Sequence, residues 1–189
     1  MGKVLCFIYN DMADFELTLS THFVGLYAKK EIVPIAYDIN VIRSAPGMCY
    51  YPAATVKEAL EYTDVEGLII PGGWNDDQRE ELTELINKIN NEGKLLTAIC
   101  AGPQYLARAG VLEGKKYTTT LTEQVMKDRG VEDPFPRETF VPEKVVRDGN
   151  IITAVGSAFV DFAAEILDWY GVLENEEEKK EIAEHYKGL

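Results

Sequence analysis

The chain has 189 residues, 46% of them hydrophobic, and its formal net charge at neutral pH is −13. This length and apolar content suit one compact domain, and we expect residues 1–189 to form a single one. The acidic balance argues against nucleic-acid binding, which needs clustered lysine and arginine. The apolar run at the amino terminus, about seven residues long, is too short for a membrane span or a secretion signal, which predicts a cytoplasmic location.

Strand-like and helical patterns alternate through the first hundred residues. A buried apolar run at 4–9 predicts a strand, and apolar residues at helical spacing within 11–30 predict a helix after it. The same reasoning predicts strands at 32–39, 67–71 and 94–99, short extended pieces at 41–43 and 48–51, a brief helix at 56–60, and an amphipathic helix at 76–91 with Asp76 or Asp77 as N-cap.

The second half of the chain begins with a predicted helix from Cys100 to about residue 109, which Gly110 closes. The later elements are an extended piece at 117–119, a short helical stretch and a Pro-Phe-Pro loop within 121–137, a hairpin at 144–154 turning at Asp148-Gly149, and helices at 157–170 and 174–186. Strands that alternate with helices predict an α/β fold with a mostly parallel sheet and helices on both faces. Ligands bind beyond the carboxyl ends of such strands.

Cys100 follows an apolar strand and precedes a helix, so it is predicted to occupy a sharp strand–turn–helix elbow. The unpaired N–H groups at the start of that helix favour negative charge. We therefore expect a lowered pKa for the Cys100 thiol and a reactive thiolate. Cys6 is expected to be a buried hydrophobe. For Cys49 packing is the favoured role, with oxidation or a dimer edge as the alternative.

Two further groups fall at predicted strand ends. Gly72 and Gly73 lie in a Pro-Gly-Gly turn, where their N–H groups could face an oxyanion or a thiolate, although a plain tight turn is the competing interpretation. Glu16 opens the first helix. A carboxyl group buried against a thiolate would tend to remain protonated and donate a hydrogen bond to sulfur, whereas an exposed one would only complement the helix dipole. Trp74 could rim the pocket.

A cysteine hydrolase of the usual kind needs an imidazole within reach of sulfur. The chain has only His22 and His185, and both belong to helices in which surface or packing roles are expected. The three cysteines have neither disulfide-framework nor metal-ligand spacing, so we expect no metal and no cofactor.

Four motifs together resemble the ThiJ/PfpI family of the class I glutamine amidotransferase-like superfamily: Phe15-Glu16-Leu17, Ile70-Pro71-Gly72-Gly73, Ala98-Ile99-Cys100-Ala101-Gly102-Pro103 and Arg147-Asp148-Gly149-Asn150. The resemblance implies a flavodoxin-like three-layer α/β sandwich that is usually a homodimer. It also implies that Cys100 is the reactive cysteine, Glu16 its carboxyl partner, and the N–H groups of Gly73 and Ala101 the oxyanion site.

The chain departs from the family pattern at two positions. Protease-like members carry histidine directly after the cysteine, where this chain has Ala101, as in the parkinsonism-associated branch. That branch has a histidine after a Thr-Thr pair, and here the residue is Thr120. These departures weaken the transfer of peptidase, amidotransferase, and glyoxalase or deglycase activity.

We therefore expect a thiol enzyme in which Cys100 and Glu16 act on a small electrophilic carbonyl, amide or related substrate. Gly72, Trp74 and Thr120 are expected to line its pocket. Two alternatives are a redox-sensing or stress-response protein that works through Cys100 oxidation, and a non-catalytic binding module.

Overall fold

The computed structural model describes residues 2–189, and in this range nine strands form one seven-stranded and one two-stranded sheet. The strands are β1 (Lys3–Phe7), β2 (Glu31–Ala36), β3 (Ile42–Arg43), β4 (Cys49–Tyr50), β5 (Ala54–Thr55), β6 (Val65–Ile70), β7 (Leu95–Ile99), β8 (Val145–Asp148) and β9 (Ile151–Ala154). The expectation that residues 1–189 form a single domain stays a prediction.

The large sheet has the strand order β5-β2-β1-β6-β7-β9-β8. Every neighbouring pair is parallel except β8 and β9, which form an antiparallel hairpin at one edge. The predicted mostly parallel sheet is therefore confirmed. The central strands consist almost wholly of buried apolar side chains, as expected for a sheet that is covered on both faces.

Seven α-helices connect and cover these strands. They are α1 (Phe15–Leu26), α2 (Val56–Ala59), α3 (Glu80–Asn91), α4 (Pro103–Arg108), α5 (Glu123–Arg129), α6 (Phe159–Trp169) and α7 (Glu176–Lys187) within residues 2–189. Helix α6 packs on α1 and α7, whereas α3 packs on α2 and α4, and both groups contact the sheet. Two helical groups on one sheet give the expected three-layer, flavodoxin-like sandwich.

The predicted hairpin is confirmed, because β8 and β9 are joined across Gly149 and Asn150, and Gly149 has the positive φ (61°) that a tight turn needs. The extended piece predicted at 117–119 forms an isolated bridge between Tyr117 and Phe140.

One expectation is wrong at the start of α3, which begins at Glu80 and has Arg79, not Asp76 or Asp77, as its N-cap residue. Asp77 pairs with the Arg79 side chain instead of capping, and Asp76 pairs with Arg108 of α4. These ion pairs hold residues 76–79 outside the helix.

The strand order determines where the site forms. Strands β1, β6 and β7 are neighbours, so the segments that follow their carboxyl ends meet at one edge of the sheet. Glu16 follows β1, the Pro-Gly-Gly turn follows β6, and Cys100 follows β7. Three motifs that are far apart in sequence thus become adjacent in space.

Candidate active site

Cys100 occupies a strained turn between β7 and α4. Its φ is 63°, in the left-handed region that a non-glycine residue rarely adopts. The Cys100 N–H donates to the Ala154 carbonyl oxygen at 2.8 Å, and the Gly102 N–H donates to the Ile99 carbonyl oxygen at 2.8 Å. These bonds hold the backbone in the strained conformation, and Cys100 remains partly exposed. The predicted elbow is confirmed.

Glu16 is buried, with 2% of its surface exposed, on the first turn of α1. Its Oε2 accepts a hydrogen bond of 2.7 Å from the Gly72 N–H. The Cys100 sulfur lies close to the same carboxyl group, because a Cβ at position 156 would be 3.0 Å from Sγ and 2.7 Å from Oε1. The carboxyl group is therefore directed at the sulfur. The alternative, an exposed Glu16 that only complements the helix dipole, is wrong because the side chain is buried.

The surroundings of Cys100 raise the pKa of its thiol to about 11, chiefly through burial and then through the charge of Glu16. The expected lowered pKa is therefore wrong. Hydrogen bonds from the Thr120 hydroxyl and the Ala101 N–H act in the opposite direction, but burial outweighs them. Burial also raises the pKa of Glu16. Each of the two acids therefore binds its own proton more tightly than it would in water.

Thr119 and Thr120 attach the next segment of the chain to the elbow. The Thr119 hydroxyl and the Thr120 N–H both donate to the Cys100 carbonyl oxygen, at 2.7 and 3.0 Å. The Thr120 Oγ1 accepts from the Gly156 N–H at 3.1 Å, which leaves its own proton for the sulfur. Thr120 thus stands beside the thiol as a hydrogen-bond donor.

The two glycines of the Pro-Gly-Gly turn have different surroundings. Gly72 is buried, and its N–H is used by Glu16; the prediction that Gly72 lines the pocket is wrong, because it lies behind the lining. A Cβ at position 72 would lie 2.5 Å from the Cys100 Cβ, so only glycine fits there. Gly73 does line the cavity, and its N–H donates to no acceptor among residues 2–189.

Gly156 is a site residue that the sequence analysis did not identify. A Cβ at this position would lie 2.7 Å from Glu16 Oε1 and 3.0 Å from Cys100 Sγ. Gly156 therefore leaves the space in which the carboxyl and the sulfur meet. Gly156 follows β9 in the chain. Because β9 pairs with β7 in parallel, Gly156 lies at the same edge of the sheet as Cys100, and a prediction of this pairing would have identified it.

The site opens into a cavity of about 850 Å³. Cys100, Glu16, Gly73, Ala101 and Thr120 line it, together with Trp74, whose side chain is 72% exposed at the rim. The expected placement of these residues around one pocket agrees with the geometry, whereas their catalytic roles stay predictions.

Both histidines are exposed, His22 on α1 and His185 on α7, and neither lines the cavity. Cys6 is buried as expected. Cys49 is exposed, contrary to the expected packing role, and its Sγ lies 3.3 Å from Arg43 Nη1.

Residues 2–189 contain no group of three or more His, Cys, Asp or Glu side chains placed to hold a metal. None of the helices in this range combines the length and apolar character that crossing a bilayer requires. The expectations of no cofactor, a homodimer and a cytoplasmic location stay predictions.

The fold and the elbow define a flavodoxin-like α/β protein with a candidate thiol site. The model of the DJ-1/PfpI family matches residues 2–169. The chain belongs to this family, and the resemblance inferred from its motifs is confirmed.

Two curated relatives match most of the chain. A protein of Bacillus subtilis named uncharacterized protease YoaZ is 26% identical over 176 residues, which are 87% of this chain and 81% of the relative. The deglycase PfpI of Pyrococcus furiosus is 29% identical over 156 residues, 80% of this chain and 89% of the relative.

Two solved structures are similar over nearly the full length. A DJ-1 superfamily protein of Agrobacterium tumefaciens has a TM-score of 0.83 and 27% identity, with 100% of this chain and 99% of that one covered. Oxidized DJ-1 of Toxoplasma gondii has a TM-score of 0.77 and 26% identity, with 99% and 98% covered.

Proposed function

We propose that this protein is a cysteine-dependent enzyme in which Cys100 adds to the electrophilic carbonyl carbon of a small organic substrate. The observation that carries the proposal is the close approach of Cys100 and Glu16 beside Gly156 in the lining of a cavity of about 850 Å³. A nucleophile, an adjacent proton acceptor and space for a substrate are the elements that covalent catalysis requires.

Glu16 is the proton acceptor in this proposal. Neither histidine lines the cavity, so no imidazole among residues 2–189 lies where it could take the thiol proton. Burial raises the pKa of Glu16 above its ordinary value, which makes its carboxylate a stronger base. A thiol whose pKa is about 11 attacks efficiently only if its proton leaves as the new bond forms.

The reaction begins when Sγ forms a bond with the carbonyl carbon and the π electron pair moves to the carbonyl oxygen. The thiol proton passes to the Glu16 carboxylate and from there to that oxygen, which gives a hemithioacetal with an aldehyde and involves no oxidation or reduction. With an ester or amide, Glu16 returns the proton to the departing alcohol or amine. Water then hydrolyses the acyl-cysteine.

Two backbone N–H groups support stabilisation of the developing oxyanion. The Gly73 N–H lines the cavity without an acceptor among residues 2–189, and the Ala101 N–H lies next to the sulfur. Unpaired N–H groups held in place before the reaction stabilise a negative oxygen without reorganisation. The name of the Pyrococcus furiosus relative, a deglycase, also supports carbonyl chemistry.

The direct test is turnover of methylglyoxal and of a chromogenic ester by the wild-type chain, Cys100→Ala and Glu16→Gln. We expect the rate to disappear in Cys100→Ala and to fall by about 100-fold in Glu16→Gln, the order of magnitude of one general base. Turnover that persists in Cys100→Ala would overturn the proposal. Tight binding of carbonyl compounds without turnover would favour the binding module instead.

A second candidate is redox sensing through Cys100, and it is favoured by the similarity to a DJ-1 structure from Toxoplasma gondii that is described as oxidized. In this reaction hydrogen peroxide transfers one oxygen atom to the thiol, which gives a sulfenic acid and water. The raised pKa of Cys100 weighs against this candidate, because peroxide reacts with the thiolate and a raised pKa lowers the thiolate fraction. Intact-mass measurement after mild peroxide should show an adduct that Cys100→Ser lacks. Its absence would exclude this candidate.

A further inference from the structure

The segment between Thr120 and β8 forms one wall of the cavity. Four of its lining residues are apolar, and they are Leu121, Val125, Phe140 and Pro142. Arg129 and Lys144 belong to the same wall, as do Thr122 and Glu143. The wall therefore combines a hydrophobic surface with two cations, and none of these eight residues takes part in the chemistry proposed for Cys100.

Acidic residues outnumber basic ones in this chain, 32 to 19. Several basic side chains nevertheless form no ion pair within residues 2–189, and Arg129 and Lys144 differ from the others in that both line the cavity. The arginines at 79, 108, 137 and 147 each pair with a carboxylate. Arg129 and Lys144 form no ion pair with any carboxylate of residues 2–189, although Glu143 also lines the cavity. Two cations that remain unpaired beside a pocket are available to an anionic ligand.

The wall is attached to the elbow by backbone hydrogen bonds. The Val141 N–H donates to the Tyr117 carbonyl oxygen at 2.8 Å, and the Thr118 hydroxyl donates to the Glu143 carbonyl oxygen at 2.8 Å. The next two threonines hold the Cys100 carbonyl oxygen. The backbone at Glu143, next to Lys144, is therefore held close to the elbow.

The size of the cavity also bears on the substrate. Cavities of about 300–1,000 Å³ hold ligands of drug size, and about 850 Å³ far exceeds the needs of a three-carbon aldehyde. An apolar body would fill the space against Leu121, Val125 and Phe140. Arginine matches a carboxylate with two parallel hydrogen bonds.

From these observations we infer that the substrate class is a carbonyl compound with an apolar chain or ring and a carboxylate that Arg129 and Lys144 bind. The inference rests on the proposed function for the reacting group, but the recognition of the carboxylate depends only on the wall. It can therefore be tested without turnover.

The test measures binding of octanoate, octanamide and octyl phosphate by calorimetry to the wild-type chain. The first two probes share one chain length and differ in charge, so we expect octanoate to bind more tightly than octanamide. In Arg129→Gln/Lys144→Gln, octanoate should lose about tenfold in affinity while octanamide is unchanged, because hydrogen bonds to charged groups contribute about 1.5–3 kcal/mol. The control Lys57→Gln/Lys127→Gln removes two positive charges outside the cavity and should bind octanoate as the wild type does.

Equal binding of octanoate and octanamide would overturn the inference, and so would an equal loss of octanoate affinity in the control. If octyl phosphate binds more tightly than octanoate, the inferred carboxylate is wrong and the anionic group of the substrate class is a phosphate ester. The proposed function is tested separately, by turnover of methylglyoxal and the chromogenic ester in the wild-type chain and Cys100→Ala. Selective octanoate binding without any turnover that depends on Cys100 would overturn the enzyme proposal and leave the anion site standing.

Discussion

Glu16 and Cys100 meet above Gly156, where a Cβ would lie 2.7 Å from the carboxyl Oε1 and 3.0 Å from the sulfur. Gly156 does not have a positive φ, so alanine fits the backbone and only the contact changes. We expect Gly156→Ala to displace one of the two groups and to reduce turnover on the order of 100-fold. Gly25→Ala on the same helix as Glu16 is the control, because its Cβ would only reach Ile32 at 3.6 Å. Equal activity of the two variants would contradict the close approach.

Glu16→Gln should make the protein more stable at neutral pH. The folded chain raises the pKa of Glu16, so the native state binds its proton more tightly than the unfolded state does. Stability is then lost as the pH rises from about 4.3, the ordinary value for glutamate, through the folded pKa. Glutamine does not titrate. Thermal unfolding should therefore show a higher Tm for Glu16→Gln at pH about 7 and a smaller difference below pH about 4.

The same substitution should lower the pKa of Cys100, because it removes the negative charge that raises it. The rate of iodoacetamide labelling against pH measures this change. A lower thiol pKa together with slower turnover would separate the proton-accepting role of Glu16 from its electrostatic effect. An increase in the thiol pKa would show that Glu16 acts mainly as a donor to the thiolate.

The strained backbone of Cys100 predicts a difference between two variants that both lack sulfur. With φ at 63°, Cys100→Gly relieves the strain, whereas Cys100→Ala retains it. The left-handed conformation costs an L-residue about 1–2 kcal/mol, so the glycine variant should be more stable than the alanine variant by about 1 kcal/mol. Urea denaturation measures the difference. Equal midpoints would mean that the turn relaxes when sulfur is removed.

Thr120→Val should raise the pKa of Cys100, because the Thr120 hydroxyl lowers it by hydrogen bonding. Valine keeps the shape and removes the donor. Since a hydrogen bond to a charged group contributes about 1.5 kcal/mol and this site is partly exposed, labelling at neutral pH should slow by roughly three- to tenfold. Thr120→Ser retains the hydroxyl and should label as the wild type does. A Thr120→Val variant that labels at the wild-type rate would remove Thr120 from the site.

Most secondary-structure elements were predictable, because each depends on the spacing of apolar residues and on turn residues within a short stretch of sequence. The helix that starts at Glu80 is an exception that shows the limit. Asp76 and Asp77 are good N-cap residues in isolation, but ion pairs with Arg108 and Arg79 hold them outside the helix. A competing partner 32 residues away is invisible to a local pattern.

The sequence by itself determined the α/β class, the elbow at Cys100 and the family, because alternation of elements and short motifs depend on neighbouring residues. Only the tertiary structure decided the pKa of Cys100, the role of Gly72, the position of Gly156 beside the sulfur, and the two cations in the cavity wall. Burial reverses the effect of the helix start on the thiol, and burial is a property of all the segments that pack around it. The strand order brings those segments together, and it is set by pairing between distant residues.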